Sequence, residues 1–215
     1  KTFIVDNNKV GIFNDDGIHY IVFQGSNDFE DWMANFHFTQ NKIGFHAGFT
    51  KAADKIEEIL KIEVNPDIDY VFTGHSMGGA LALILGMRLR AKEIVTFGQP
   101  RVLSNIDISY DVSNIHRYIT PEDVIPNTPP SLFGYKHIGQ PYFILDSHVH
   151  SGNMKFYDKV LYSIHKSVQE AIDMRNDSHN LLLSTIWIVL SYFTFQSTNT
   201  VNAHSSEHYK EKLNP

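Results

Sequence analysis

Short apolar runs open the chain. Thr2 to Val5, Val10 to Phe13 and Ile18 to Phe23 are rich in β-branched and aromatic residues, and Asn14-Asp15-Asp16-Gly17 has the composition of a hairpin turn. The sheet is therefore expected to start antiparallel. Beyond Gln24, large apolar residues stand beside acids at helix-like spacing: Phe29, Trp32, Met33 and Phe36. From His46 the helical period is clearer, with Phe49, Ala52, Ala53, Ile56, Ile59 and Leu60 on one face and Lys51, Lys55, Glu57 and Glu58 largely on another. Asn65-Pro66 ends that helix. Tyr70 to Thr73 then reads as a buried strand, Met77 to Gly86 as a buried helix of small residues and leucines, and Glu93 to Gly98 as the next strand. Strand, helix, strand in that order implies a right-handed parallel crossover.

His116 to Ile119 predicts a further strand, ending at Thr120-Pro121-Glu122-Asp123-Val124-Ile125-Pro126, and Gly134 to Leu145 has β character. Tyr157 to Met174 reads as an amphipathic helix through Val160, Leu161, Ile164, Val168 and Ile172, while Leu181 to Phe195 is apolar on every side. The whole predicts an α/β fold with a mostly parallel central sheet, an antiparallel N-terminal hairpin and helices on both faces. At 215 residues, a single domain over 1–215 is expected.

Charge narrows the partners. The formal net charge of -6 offers no basic stripe for phosphates, so no nucleic-acid partner is expected. The nearest basic cluster, Arg88, Arg90 and Lys92, reads as the solvated end of the helix after Ser76. Cysteine is absent, which rules out disulfides and thiolate metal sites. No apolar run reaches the roughly 20 residues that a membrane-spanning helix needs. The chain begins at Lys1 rather than Met, as a processed or trimmed form would, and Asn176-Asp177-Ser178 is a glycosylation sequon.

The chemistry gathers around Gly74-His75-Ser76-Met77-Gly78. A serine between a strand and a helix, flanked at two positions on either side by glycine, is the pattern of a nucleophile held on a turn too tight for side chains at its flanks. The following helix aims its N-terminal amides at the serine, where an oxyanion would form. In α/β-hydrolase folds the acid and then the histidine follow the serine in the chain. Asp107, Asp111, Asp123, Asp146, Asp158, Asp173 and Asp177 all come later, and Asp123 is preferred because it lies just past the carboxyl end of a predicted strand. Among the late histidines, His137 and His165 fall inside predicted elements. The pattern leaves His148, His150, His179, His204 and His208 in contention. A second oxyanion donor is expected from the loop after the third strand, which places Ser26 beside Met77 in that role.

Five ordered segments, Gln24-Gly25-Ser26-Asn27-Asp28-Phe29-Glu30-Asp31-Trp32, His46-Ala47-Gly48-Phe49, Gly74 to Gly79, Phe97-Gly98-Gln99-Pro100-Arg101 and Asp123-Val124-Ile125-Pro126, together resemble the class 3 lipase family, which includes the filamentous-fungal triacylglycerol lipases. The resemblance implies an α/β-hydrolase fold. It makes Ser76 the nucleophile, Asp123 the acid, and Ser26 and Met77 the oxyanion donors. Because the family's histidine commonly precedes a tyrosine near the chain end, it points to His204, with Tyr209 following. It also makes residues 27–36 a short lid carrying Phe29, Trp32, Met33 and Phe36. Gln24 stands where many members carry arginine, and no helix precedes the first strand.

The expected activity is hydrolysis of carboxylic esters of lipids, triacylglycerol lipase-like, through an acyl-enzyme on Ser76. No cofactor or metal is required. The expected partner is a lipid ester at a lipid–water interface, and the resemblance favours secretion. A phospholipase A1 and an esterase for short or aromatic acyl groups are the enzyme alternatives. A lipase-like binding protein without turnover is the alternative of another class.

Overall fold

Two tight turns build the antiparallel start of the sheet. Asp6 and Asn7 have φ values of 46 and 66, and Asp16 and Gly17 have 47 and 78, the left-handed pairs whose twist suits two-residue hairpins. They join β1 (Thr2–Val5) to β2 (Asn8–Asp15) and β2 to β3 (Ile18–Phe23). Pairing runs from Thr2↔Gly11 to Val5↔Asn8 and from Val10↔Phe23 to Asp15↔Ile18. The second strand is thus longer than its apolar run, because ladder pairing carries polar Asn14 and Asp15 up to the turn.

The computed structural model describes residues 1–24, 45–104, 111–145, 148–152 and 204–213. Its contacts divide the chain into two units, Lys1–Ile119 with Ile125–Tyr142, and Thr120–Val124 with Phe143–Pro215. The predicted segments at 157–174 and 181–195 lie outside the described residues.

In the first unit, α1 (Ala47–Glu63) follows β3 and leads to β4 (Tyr70–His75). Next come α2 (Met77–Arg88), β5 (Glu93–Phe97), the two-residue β6 (Leu103–Ser104) and β7 (Ile115–Ile119). Strands β3, β4, β5 and β7 pair in parallel, with Phe23↔Gly74 and His75↔Phe97 in register at the carboxyl edge. The sheet order is β1-β2-β3-β4-β5-β7-β9, where β9 (Gln140–Leu145) contributes Gln140 to Tyr142 to this unit. The chain therefore has an α/β fold, with a parallel centre and an antiparallel N-terminal edge.

Helix α2 is apolar all round, and every residue from Gly78 to Gly86 is buried, as such a helix must be. It shares one core cluster with Phe49, Ala53, Ile56 and Leu60 of α1 and with Val10, Ile21, Phe23, Phe72 and Ile94 of the sheet. Arg88 at its end donates to Asp54 and Glu57 of α1 at 2.8 Å each, so this part of the basic cluster clamps two helices. Lys92 pairs with Asp69 at 3.3 Å, and Arg90 is exposed. On the other face of the sheet, Phe97, Tyr118 and Tyr142 stack in a row at 5.3 and 5.0 Å between centroids.

The run from Gly134 to Leu145 divides. β8 (Tyr135–Lys136) pairs with β6, and Gly139, at φ 79, separates it from β9. In the second unit, the rest of β9 pairs with β10 (His148–Ser151), and α3 spans Ser206–Leu213. Ser205 Oγ accepts the amide of His208 at the head of α3, while Glu207 in the first turn and Lys210 and Lys212 in the last suit the helix dipole. No described helix is long and apolar enough to cross a membrane.

Candidate active site

Ser76 sits where β4 stops and α2 begins, with φ 57 and ψ -125. A non-glycine residue there is strained, at a cost of about 1–3 kcal/mol, and persists only where its surroundings over-determine it. Those surroundings are visible. The Ser76 amide donates to Phe97 O at 2.9 Å and its carbonyl accepts the Ala80 amide at 3.2 Å, pinning the turn to β5 and to α2. A Cβ on Gly74 would stand 2.4 Å from the Gly78 carbonyl, and one on Gly78 would stand 2.1 Å from Phe23 O. Backbone fills both places, so only glycine fits. Met77 opens α2, and its amide has no acceptor within the helix. Ser76 itself is 4% exposed.

Asp123 belongs to the second unit. It is 1% exposed, and its Oδ2 accepts from His204 Nδ1 at 2.8 Å and from Tyr209 Oη at 2.7 Å. Tyr209 Oη in turn accepts the Thr120 amide at 3.1 Å, so one phenol ties Thr120 to the carboxylate three residues on. Burial pushes the Tyr209 phenol well above its ordinary value, and the Asp123 charge pushes the same way. The phenol therefore stays protonated and donates. With Nδ1–H given to the carboxylate, the neutral His204 ring carries its lone pair on Nε2, the tautomer a general base requires. One turn of α3 beyond Tyr209, Lys212 Nζ meets Glu122 Oε1 at 3.0 Å, a mostly buried pair next to the acid.

A strained serine at a strand–helix turn and a histidine ordered by a buried aspartate are found in many hydrolases. Residues 20–133 match one family model, described as Lipase (class 3). The chain belongs to the class 3 lipase family. A lipase of Rhizomucor miehei is 30% identical over 172 residues, covering 68% of this chain and 47% of that protein. A secreted mono- and diacylglycerol lipase of Fusarium solani is 30% identical over 140 residues, covering 56% of this chain and 42% of that protein. Among solved structures, the lipase from Rhizopus microsporus var. chinensis superimposes with a TM-score of 0.61 at 29% identity, covering 70% of this chain and 62% of that one. The chain spans less than half the length of these curated relatives, and its fold is the α/β-hydrolase fold of the fungal lipases.

The other segments that carry the family likeness have structural tasks in the first unit. His46 caps α1, with its amide on Val102 O at 2.9 Å and its ring 4.8 Å from that of Phe49. Arg101 donates to the carbonyls of Asn127 and Pro129, fastening the loop after β7 to the loop after β5. Burial holds the Arg101 guanidinium below its usual value. Arg117, 6% exposed, donates Nε–H to Ile138 O at 2.8 Å, and burial followed by the charge of Arg101 brings it to about 10.

The structure brings Asp123 and His204 into direct contact and places Ser76 and Met77 at the elbow. Ser26, Phe29, Trp32, Met33 and Phe36 lie outside the described residues, as does His179. His150 sits exposed on β10, His208 lies in α3, and His137 donates Nε2–H to Pro126 O at 2.6 Å. The described residues hold no group of three or more His, Cys, Asp or Glu suited to a metal ion. In the sequence Tyr209 stands out only as a spacing landmark after His204. A lone tyrosine in a polar tail carries no local sign of the carboxylate it will meet.

Proposed function

We propose that this chain hydrolyses carboxylic esters of lipids through an acyl-enzyme on Ser76. The observation that carries the reading is the Nδ1 to Oδ2 bond of His204 and Asp123, at 2.8 Å and buried, in a member of a lipase family. A histidine ordered in that way is built to take a proton on Nε2. In the proposed cycle, Ser76 Oγ attacks the ester carbonyl carbon and its proton passes to His204 Nε2. Asp123 holds the ring and stabilises the imidazolium. The tetrahedral oxyanion is bound by the amides of Met77 and Ser26, the C–O bond to the alcohol breaks, and His204 returns the proton to the departing oxygen. Water then enters along the same route, His204 takes its proton, and the acid leaves Ser76.

Residues 27–36, with Phe29, Trp32, Met33 and Phe36, act as the lid in this reading, within a single hydrolase domain that needs no cofactor. The names of the relatives, a lipase and a mono- and diacylglycerol lipase, support glycerol esters as the substrate class. A fluorophosphonate probe in the presence of detergent tests the proposal directly. One label is expected, at Ser76, and Ser76→Ala should lose both the label and ester hydrolysis. Folded protein that takes up no probe would overturn it.

A further inference from the structure

Among the large apolar side chains of the described residues Leu132 is the most exposed, at 88%, and its neighbour Phe133 is 49% exposed. Pro130 and Ser131 before them are exposed as well, so the chain presents a Pro-Ser-Leu-Phe tip. We propose that this tip enters a lipid–water interface and seats the protein on it. The proposal rests on the lipid-ester reading above and adds a contact surface at residues 130–133.

Single exposed leucines are ordinary, so the case depends on the frame around this one. Position is the first consideration. The tip follows β7, and Arg101, which follows β5, holds the tip's loop through the carbonyls of Asn127 and Pro129 and through its own amide on Thr128 O at 2.6 Å. Strands β4, β5 and β7 are parallel, so this loop stands at the carboxyl edge of the sheet. Ser76 opens at that same edge, directly after β4.

Rigidity is the second. A 3-10 turn at Ser131–Phe133 is closed by Phe133 N on Pro130 O at 3.1 Å and Gly134 N on Ser131 O at 2.9 Å, and Gly134 ends it in the left-handed region at φ 82. Thr128 bonds Ile125 O through both its amide and its hydroxyl, at 2.9 and 2.8 Å. With the backbone already fixed, insertion orders little that was not ordered before, and the leucine's transfer from water to hydrocarbon is retained as binding.

Charge is the third. The chain carries a net -6, yet no Asp or Glu occurs from Val124 to Leu145, and the exposed Lys136 lies just beyond the tip. The segment is thus free of the carboxylates that would resist an acidic or zwitterionic lipid surface.

Ile62 supplies an internal control, because it is 83% exposed but lies at the end of α1 that leads to the amino edge of β4. The experiment measures adsorption of the full chain to phosphatidylcholine vesicles doped with phosphatidylglycerol, for wild type, Leu132→Ser and Ile62→Ser. It also measures hydrolysis of a soluble short-chain ester below its aggregation limit. Leu132→Ser should weaken adsorption about tenfold, the scale of one aliphatic side chain withdrawn from hydrocarbon. Ile62→Ser should leave adsorption unchanged, and both variants should keep the wild-type melting temperature and soluble-ester rate. Wild type that does not adsorb, equal losses in both variants, or loss in neither overturns the proposal. So does a concentration-dependent dimer abolished by Leu132→Ser, since the tip would then face a second copy. Adsorption is read without turnover, so absence of ester hydrolysis would count against the catalytic reading alone.

Discussion

Replacing Tyr209 by phenylalanine removes one oxygen and leaves a ring that is 2% exposed in its packing. That oxygen does two things. It donates to Asp123 Oδ2 at 2.7 Å and accepts the Thr120 amide at 3.1 Å. A bond to a charged acceptor contributes about 1.5–3 kcal/mol, and a buried amide deprived of an acceptor costs about 1–3 kcal/mol. Taking the low end of the two together, because one oxygen makes both bonds, Tyr209→Phe should destabilise by about 3 kcal/mol. At about 2–4 °C per kcal/mol for a chain of this size, the melting temperature should fall by about 6–12 °C.

The catalytic effect should be smaller, because His204 keeps its own bond to the carboxylate. A three- to tenfold loss of kcat corresponds to at most about 1.4 kcal/mol of the transition-state barrier. Differential scanning calorimetry and kcat on a soluble ester, normalised to fluorophosphonate-titrated sites, give the two numbers. There is also a signature in pH. The phenol is raised in the folded state, so its contribution is fully present below its ordinary value near 10 and is lost as pH rises above that. The phenylalanine variant has no phenol to titrate and no such loss, so the gap between wild type and variant should narrow in strong alkali. An unchanged melting temperature together with an unchanged kcat would refute the view that the phenol orders this carboxylate.

Two further perturbations probe the first unit. Gly78→Ala places a Cβ 2.1 Å from Phe23 O, an overlap that backbone must relieve at about 1–3 kcal/mol or more. The neighbouring Met77 amide moves with it, so kcat on a soluble ester should fall by about a hundredfold; wild-type melting and turnover would contradict this. Arg88→Met removes the clamp between α1 and α2. Desolvation pushes the Glu57 carboxyl up, but bonds and charge from Lys61 and Arg88 outweigh it and leave the group lowered. A lowered carboxyl stabilises above its ordinary value, and that stability is lost as pH falls through the folded one. The variant should therefore be less stable by about 1 kcal/mol at about pH 7, and the gap to wild type should narrow as pH is taken below the ordinary carboxylate range, by urea midpoints at each end. An equal gap at both pH values would show that the charge of Glu57 is not involved.

The elbow was legible in the sequence because its requirements are local: glycine at 74 and 78 answers to atoms a few residues away or on the adjoining strand. The first helix was legible for a similar reason, since Phe49, Ala53, Ile56 and Leu60 share one face and one core. The turn at Asp6-Asn7 was missed, although both residues tolerate positive φ, because the flanking runs are short. The end of the chain was not legible as structure. Ser206–Leu213 buries only Tyr209, so it shows no apolar stripe, and what holds it is a set of polar contacts. Pattern left several late histidines open; the bond from His204 to Asp123 spans 81 residues, a separation that no local period encodes.

That separation sets a clock on biosynthesis. The sheet through β7 consists of elements made before Asp123, and they can pair as they leave the ribosome. The histidine that orders Asp123 is translated 81 residues after it, and Tyr209 follows at 86. At about 5–20 residues per second, the interval is roughly 4–16 s. During that time a nascent chain can carry the serine elbow and Asp123 while the histidine that bonds the carboxylate has not yet been synthesised. A ribosome that stalls, or a transcript cut short before the codon for His204, leaves a chain that cannot assemble the Asp123–His204 pair. The buried cluster of Asp123, His204 and Tyr209 thus forms only after every strand of the sheet through β7 has been made.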